Sequence, residues 1–231
     1  MKLKTNLLAG ALVLSAVSTV AHAGAGADIV QNQCVACHAV AKPGTGDLDR
    51  LLTRKGPDLY YAGVKFNKDW LVAWLQNPTT LRQGGALYAR AVKPAPGGAD
   101  TIDASLVPPH LKLSAEDAVA VADVLMGYGV NDGLVEKGAF KQAPPNAMAA
   151  LLFNKLRGCA SCHSGKPGAG GASGPELYTS GARLQADFVV EYIRNPQKFD
   201  PHVWMPKLDL NEADVQKLAG YLQTLKTGGA K

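Results

Sequence analysis

Aromatic residues make up only 6% of the 231-residue chain and charged residues only 19%, and Lys and Arg are not clustered. The net charge of +5 is dispersed, so a nucleic-acid-binding surface is not expected. Beyond the N-terminus there is no long apolar run, which excludes a multi-span membrane protein. Hydrophobic residues reach 47%, with 25 Gly and 14 Pro, a balance that fits neither a disordered tail nor a coiled coil. The chain is long enough for one large domain or two small ones. Cysteine is scarce too, at four residues, and those four carry most of the information.

The N-terminus reads as an address. Lys2 and Lys4 form a basic start, Leu7 to Val20 an apolar stretch, and Ala21-His22-Ala23 a small-x-small cleavage site. The stretch is shorter than the about 20 residues that span a bilayer. A cleaved signal peptide over 1–23 is expected, with export and no transmembrane span after cleavage; the alternative is an uncleaved anchor. Cleavage before Gly24 removes two lysines and lowers the formal charge to about +3. Gly24, not a Cys, stands directly after the cleavage site, so lipid attachment has no support.

All four cysteines fall in two copies of one pattern, Cys34-Val35-Ala36-Cys37-His38 and Cys159-Ala160-Ser161-Cys162-His163. A C-x-x-C-H run reads as covalent attachment of haem c. Cysteines three apart share one side of a helical turn and can reach the two vinyl groups of a porphyrin. The following His then stands under the ring as proximal iron ligand. Two disulfides, a four-Cys zinc site or thioredoxin-like redox pairs would not explain a His after both pairs. Two haems are implied.

An internal repeat extends the duplication. Gly56-Pro57-Asp58-Leu59-Tyr60 recurs as Gly174-Pro175-Glu176-Leu177-Tyr178, Gly63 matches Gly181, and Leu75-Gln76-Asn77-Pro78 matches Ile193-Arg194-Asn195-Pro196. Leu111-Lys112-Leu113-Ser114 then matches Leu208-Asp209-Leu210-Asn211, each opening a final helix. On these residues the chain resembles the two-haem periplasmic c-type cytochromes, each half similar to a small class I cytochrome c. The resemblance implies an all-α fold of two tandem domains, 24–135 and 146–231, each wrapped around one haem.

Helix signals agree. A first helix runs from about Asp28 to the Cys34–His38 site, and its partner follows Pro145, a residue suited to a first turn. A middle helix carries Trp70, Trp74 and Leu75 and stops at Asn77, before Pro78. Ser114 and Asn211 are good N-caps. Ala118, Val121, Ala122, Leu125 and Tyr128 share one face of the last helix, as do Val215, Leu218, Ala219, Leu222 and Leu225. Sustained two-residue alternation is absent.

The second axial ligand separates a carrier from a catalytic haem. Met205, followed by Pro206 in the loop before the last helix, matches the family's distal methionine, and His/Met ligation raises the reduction potential. The first half departs from this pattern: aligning the final helices puts Pro108 where Met205 should be. Met126 and Met148 are badly placed. The nearest donor is His110, and a neutral imidazole binds iron well. Bis-His ligation would leave the first haem lower in potential than the second; a solvent-exposed His110 would leave the sixth site to water, to another group or open. His202 reads as a surface or haem-edge residue, Trp204 as packing on the second haem or in the core, and Tyr60, Tyr178, Trp70 and Trp74 as core or pocket lining.

His38 and Pro108 are 70 residues apart, whereas His163 and Met205 are 42 apart. Most of the 28-residue excess lies in Arg82–Val107, a length that is usually functional or poorly ordered.

The expected function is a periplasmic carrier passing single electrons between donor and acceptor proteins, with metal ligands His38, His110, His163 and Met205 and thioether cysteines Cys34, Cys37, Cys159 and Cys162. The alternatives are a haem enzyme with an open iron site in the first half, or a cytochrome subunit of a dehydrogenase complex. Two-haem peroxidases are larger, and two-haem thiosulfate dehydrogenases use a distal cysteine that this chain lacks.

Overall fold

The structure, a computed structural model, describes residues 24–44, 48–81, 84–94, 96–97, 100–142 and 147–226. The expected signal peptide, 1–23, lies outside the described residues, as do Pro144 and Pro145. Among the described residues no helix is long and apolar enough to cross a membrane.

The chain is mostly helical, and four helices of the first half have counterparts in the same order in the second. In the first, helix α1 covers residues 24–34, its last turn widened to a π-turn at Val30–Cys34. It is followed by α2 (Leu48–Thr53), α3 (Ala62–Lys65), α4 (Lys68–Gln76), α5 (Ala86–Ala91) and α6 (Ala115–Leu125). In the second, α7 (Ala147–Leu151) runs into a π-turn at Leu152–Leu156, followed by α8 (Ser180–Arg183), α9 (Ala186–Arg194) and α10 (Glu212–Thr224). Helix α4 packs on α6; α7 and α9 pack on α10.

Local chemistry sets the ends. Ser114 Oγ accepts from Asp117 N at 3.0 Å and Asn211 Oδ1 from Asp214 N at 2.9 Å, so both final helices are capped as their sequences predict. Asn77 leaves α4 with φ −144° and ψ 71°, the extended bias of a residue before proline. Ala118, Val121, Ala122 and Leu125 are buried on one face of α6, and Val215, Leu218, Ala219 and Leu222 on one face of α10. Gly26 brings α1 onto α6: a Cβ there would collide with the Ala120 carbonyl.

The all-α expectation misses one element. Val92–Lys93 (β1) pairs antiparallel with Thr101–Ile102 (β2) inside the inserted segment. Two residues per strand are too few to show an alternating pattern in the sequence.

The halves meet in a continuous buried cluster that takes Tyr60, Tyr61 and Phe66 from one side and Leu184, Phe188 and Phe199 from the other. Tyr60 Oη donates to the Phe199 carbonyl at 2.7 Å, and Arg54 pairs with Asp200 at 2.9 Å.

Candidate haem sites

Each Cys-x-x-Cys-His run folds into the same turn. His38 N donates to Cys34 O at 3.0 Å and His163 N to Cys159 O at 3.0 Å. The cysteines are free thiols, so neither pair is a disulfide. Burial pushes the Cys34 and Cys159 thiols up, the reverse of the lowered pKa that activates a redox pair. No group of three or more His, Cys, Asp or Glu side chains gathers around a bare-metal site among the described residues, which argues against a shared four-Cys zinc.

The two histidines are held alike. His38 Nδ1–H donates to the Pro57 carbonyl at 2.7 Å, and His163 Nδ1–H to the Pro175 carbonyl at 2.8 Å. That bond fixes the tautomer and leaves the Nε2 lone pair for a metal. Burial lowers the His38 pKa and keeps its ring neutral, as a ligand must be. The preceding glycines make room: a Cβ at Gly56 would stand 2.5 Å from His38 Cε1, and one at Gly174 2.6 Å from His163 Cε1. The sequence displays Gly-Pro as a repeat, but its service to the histidine is a contact across 19 residues in one half and 12 in the other.

In the second half a cavity lies over His163. Cys159, His163 and Met205 all line it, with an apolar wall that includes Leu177, Phe188 and Leu218. Gln197 Nε2 anchors the methionine loop by donating to Met205 O at 2.8 Å. Lys65 and Arg183 add two cations to the wall. Arg183 Nη2 donates to Glu176 O at 2.8 Å, while its buried Nε has no partner. A large, flat, mostly apolar group with carboxylate edges and a thioether link at Cys159 fits this donor set; haem c is such a group.

In the first half His110 lies near His38, their ring centroids 6.2 Å apart and tilted by 52°. Two metal–nitrogen bonds of about 2 Å each, with the ring radius added on both sides, require ring centres about 6 Å apart. The His110 ring is steadied by Trp74, edge-on at 4.4 Å, and by an Nδ1–H bond to the Leu111 carbonyl at 2.8 Å. That bond occupies Nδ1 and leaves Nε2 as the nitrogen that could hold a metal, as in His38.

Tyr60 is core, while Trp70 and Trp74 are half-buried against α4's own neighbours. Trp204 is 54% exposed and lies against Gly85 of the insertion, so it does not belong to the core. Leu81 lines the second-half cavity, and Gly84 packs on Ser173 and Pro175. The segment that leads into the first half's insertion therefore lines part of the second half's site.

Residues 145–222 match the family model described as cytochrome c oxidase, cbb3-type, subunit III. The match supports a c-type cytochrome domain over the second half, and with it haem c binding and electron transfer. No curated protein and no solved structure matches the chain.

Proposed function

We propose that the chain is a periplasmic two-haem electron carrier, one centre in each half, with His/Met ligation by His163 and Met205 and bis-His ligation by His38 and His110. The observation that carries the reading is the twice-built proximal site, in which each histidine donates to the proline carbonyl of its own Gly-Pro repeat. Haem iron, when bound, supplies a one-electron change of oxidation state. The chain's own residues do the rest. Cys34, Cys37, Cys159 and Cys162 would tether the two groups, Pro57 and Pro175 orient the rings of His38 and His163, and His110 and Met205 would hold the metals and keep small molecules away. A soft thioether at one centre and a second imidazole at the other separate the two potentials, the first centre being the lower. Docking partners are an electron donor and an electron acceptor protein, met through weak encounter surfaces.

Mass spectrometry and a haemochrome assay on the purified protein test the count: two haems c per chain are expected. Near-infrared magnetic circular dichroism of the oxidised protein should then show one His/Met and one bis-His low-spin band. A high-spin band would leave the first iron open and favour the enzyme reading.

A further inference from the structure

Charge is divided unevenly between the halves. Residues 24–135 carry ten Lys and Arg against eleven Asp and Glu, a formal −1, and residues 146–231 carry ten against seven, a formal +3. The carboxylates of one haem in each half would leave this difference unchanged.

Part of the excess collects on one edge of the second half. The turn Leu152–Leu156 packs on the turn that bears Cys159. The loop after His163 folds back onto the same turn, Gly171 N donating to Ala160 O at 2.8 Å. Lys155, Arg157 and Lys166 are exposed on these segments, and so is Cys162, whose thioether link would stand at the surface. Arg157 and Lys217 share the carboxylate of Asp214, two cations on one anion. The same stretch leaves large apolar side chains in solvent: Met148, Leu151 and Leu156, the last 57% exposed.

The first half is an internal control. Its counterpart, α1, presents Asp28, Gln31, Asn32 and Gln33 to solvent on the way to Cys34. Residues 24–33 contain no cation and no exposed large apolar side chain. Both segments lead into the same Cys-x-x-Cys-His turn, so the scaffold does not demand the difference. Apolar side chains among charges of one sign suit a complementary protein surface better than they suit water.

We propose that this edge of the second half is the docking site of an acidic redox protein, the partner that accepts the electron. The inference rests on the carrier reading above, in which the second centre is the higher in potential and so the point of exit. One electron passes outward, this chain being oxidised by one and the partner reduced by one, with no bond made and no proton moved. Opposite charge steers the partner to the edge, and Leu156 supplies apolar contact within a weak encounter surface.

The test is stopped-flow oxidation of the reduced holoprotein by hexacyanoferrate(III), an anion, and by tris(phenanthroline)cobalt(III), a cation. The samples are the native chain, Lys155→Glu/Lys166→Glu, and Lys42→Glu/Lys55→Glu, which reverses two exposed charges of the first half instead. Haem count and near-infrared magnetic circular dichroism come first, and a chain without a His/Met centre sinks the carrier reading separately. With that centre present, oxidation by the anion should be about tenfold or more slower in Lys155→Glu/Lys166→Glu, while oxidation by the cation gains. Poly-L-glutamate at low salt should slow the native reaction with the cation and spare that variant. Lys42→Glu/Lys55→Glu should behave as the native chain does. Equal losses in the two variants overturn the proposal, since net charge and not this edge would then steer the anion. Binding to vesicles of anionic phospholipid that depends on Lys155 and Lys166, with no effect of poly-L-glutamate, overturns it too and makes the edge a membrane contact.

Discussion

Phe66 pairs with Leu184 in an antiparallel bridge, and each stands ten residues after the glycine of its own Gly-Pro repeat. The bonds around the bridge come in matched sets. Asn67 N donates to Arg183 O and Gln185 N to Lys65 O, both at 2.9 Å. Asn67 Nδ2 reaches the carbonyls of Ala182 and Leu184, and Gln185 Nε2 those of Gly63 and Phe66. A position that meets its own equivalent marks a two-fold arrangement, as in an isologous dimer. The duplicated sequence is therefore packed like two copies of one unit, and the repeat positions of Lys65 and Arg183 fall beside the axis. That is how a side chain of one half comes to stand in the wall of the other's cavity.

Adding one methyl group at either repeat glycine should displace the proximal imidazole. The Cβ of Gly174→Ala would stand 2.6 Å from His163 Cε1 and that of Gly56→Ala 2.5 Å from His38 Cε1, with the ring held against a proline carbonyl. Overpacking of this kind costs about 1–3 kcal/mol. Each variant should lose haem, or low-spin ligation, in its own half alone, read by mass spectrometry and magnetic circular dichroism. A native spectrum and native melting temperature in both would show that the rings have room to move.

The two distal side chains should be separable. His110→Ala is expected to replace the bis-His band by a high-spin one while leaving the His/Met band in place, and Met205→Ala to lower the potential of the second centre only. Unchanged bands and potentials in both variants would remove these residues from the irons.

Much of this was legible because it is local. The N-caps Ser114 and Asn211 act over three residues, and the end of α4 over one. His110 is 72 residues from His38 in the chain, and elimination of other donors points to it; the fold brings the exposed His110 ring to 6.2 Å from that of His38, centroid to centroid. What was not legible is what depends on the other half. The bonds of Asn67 and Gln185 join residues more than 100 positions apart, and polar side chains in short loops give no hint of their partners. Nothing in the sequence singles out Lys65, whose place in the wall of the other half's cavity comes only with the packing of Arg183 and Phe188. Trp204 suits the second haem or the core by its type alone, but it is exposed and meets the insertion, which has no counterpart in the repeat.

The inserted hairpin should loosen in acid. Hydrogen bonds from Lys93, then from the Ser105 hydroxyl and backbone N–H, hold the Asp103 carboxyl down to about 2. A carboxylate depressed in the folded state stabilises it above the ordinary value near 4 and loses that contribution as pH falls from about 4 through 2. Backbone amide shifts of Val92, Lys93, Thr101 and Ile102 should move together over that window, and Asp103→Asn should abolish the transition. The same transition in the variant would assign it to another group. The Lys93 side of the pair is exposed, so the effect should weaken in high salt.

The halves should unfold as one. Tyr60, 4% exposed, donates to the Phe199 carbonyl at 2.7 Å, its ring meets Tyr61 edge-on at 4.8 Å, and Tyr61 packs in turn against Phe188 and Phe199. These rings belong to a cluster that crosses the interface without a break, so neither half can open without exposing the other's apolar surface. Tyr60→Phe keeps the ring and removes only the donor, leaving the Phe199 carbonyl buried without it. A buried polar group stranded in this way costs about 1–3 kcal/mol. For a chain of this size each kcal/mol lowers the melting temperature by about 2–4 °C. Calorimetry of the holoprotein should show one cooperative transition, shifted down by that amount in the variant. Two transitions in the native chain, with only one of them moved by Tyr60→Phe, would mean that the halves are independent folding units and that the aromatic interface contributes little to either.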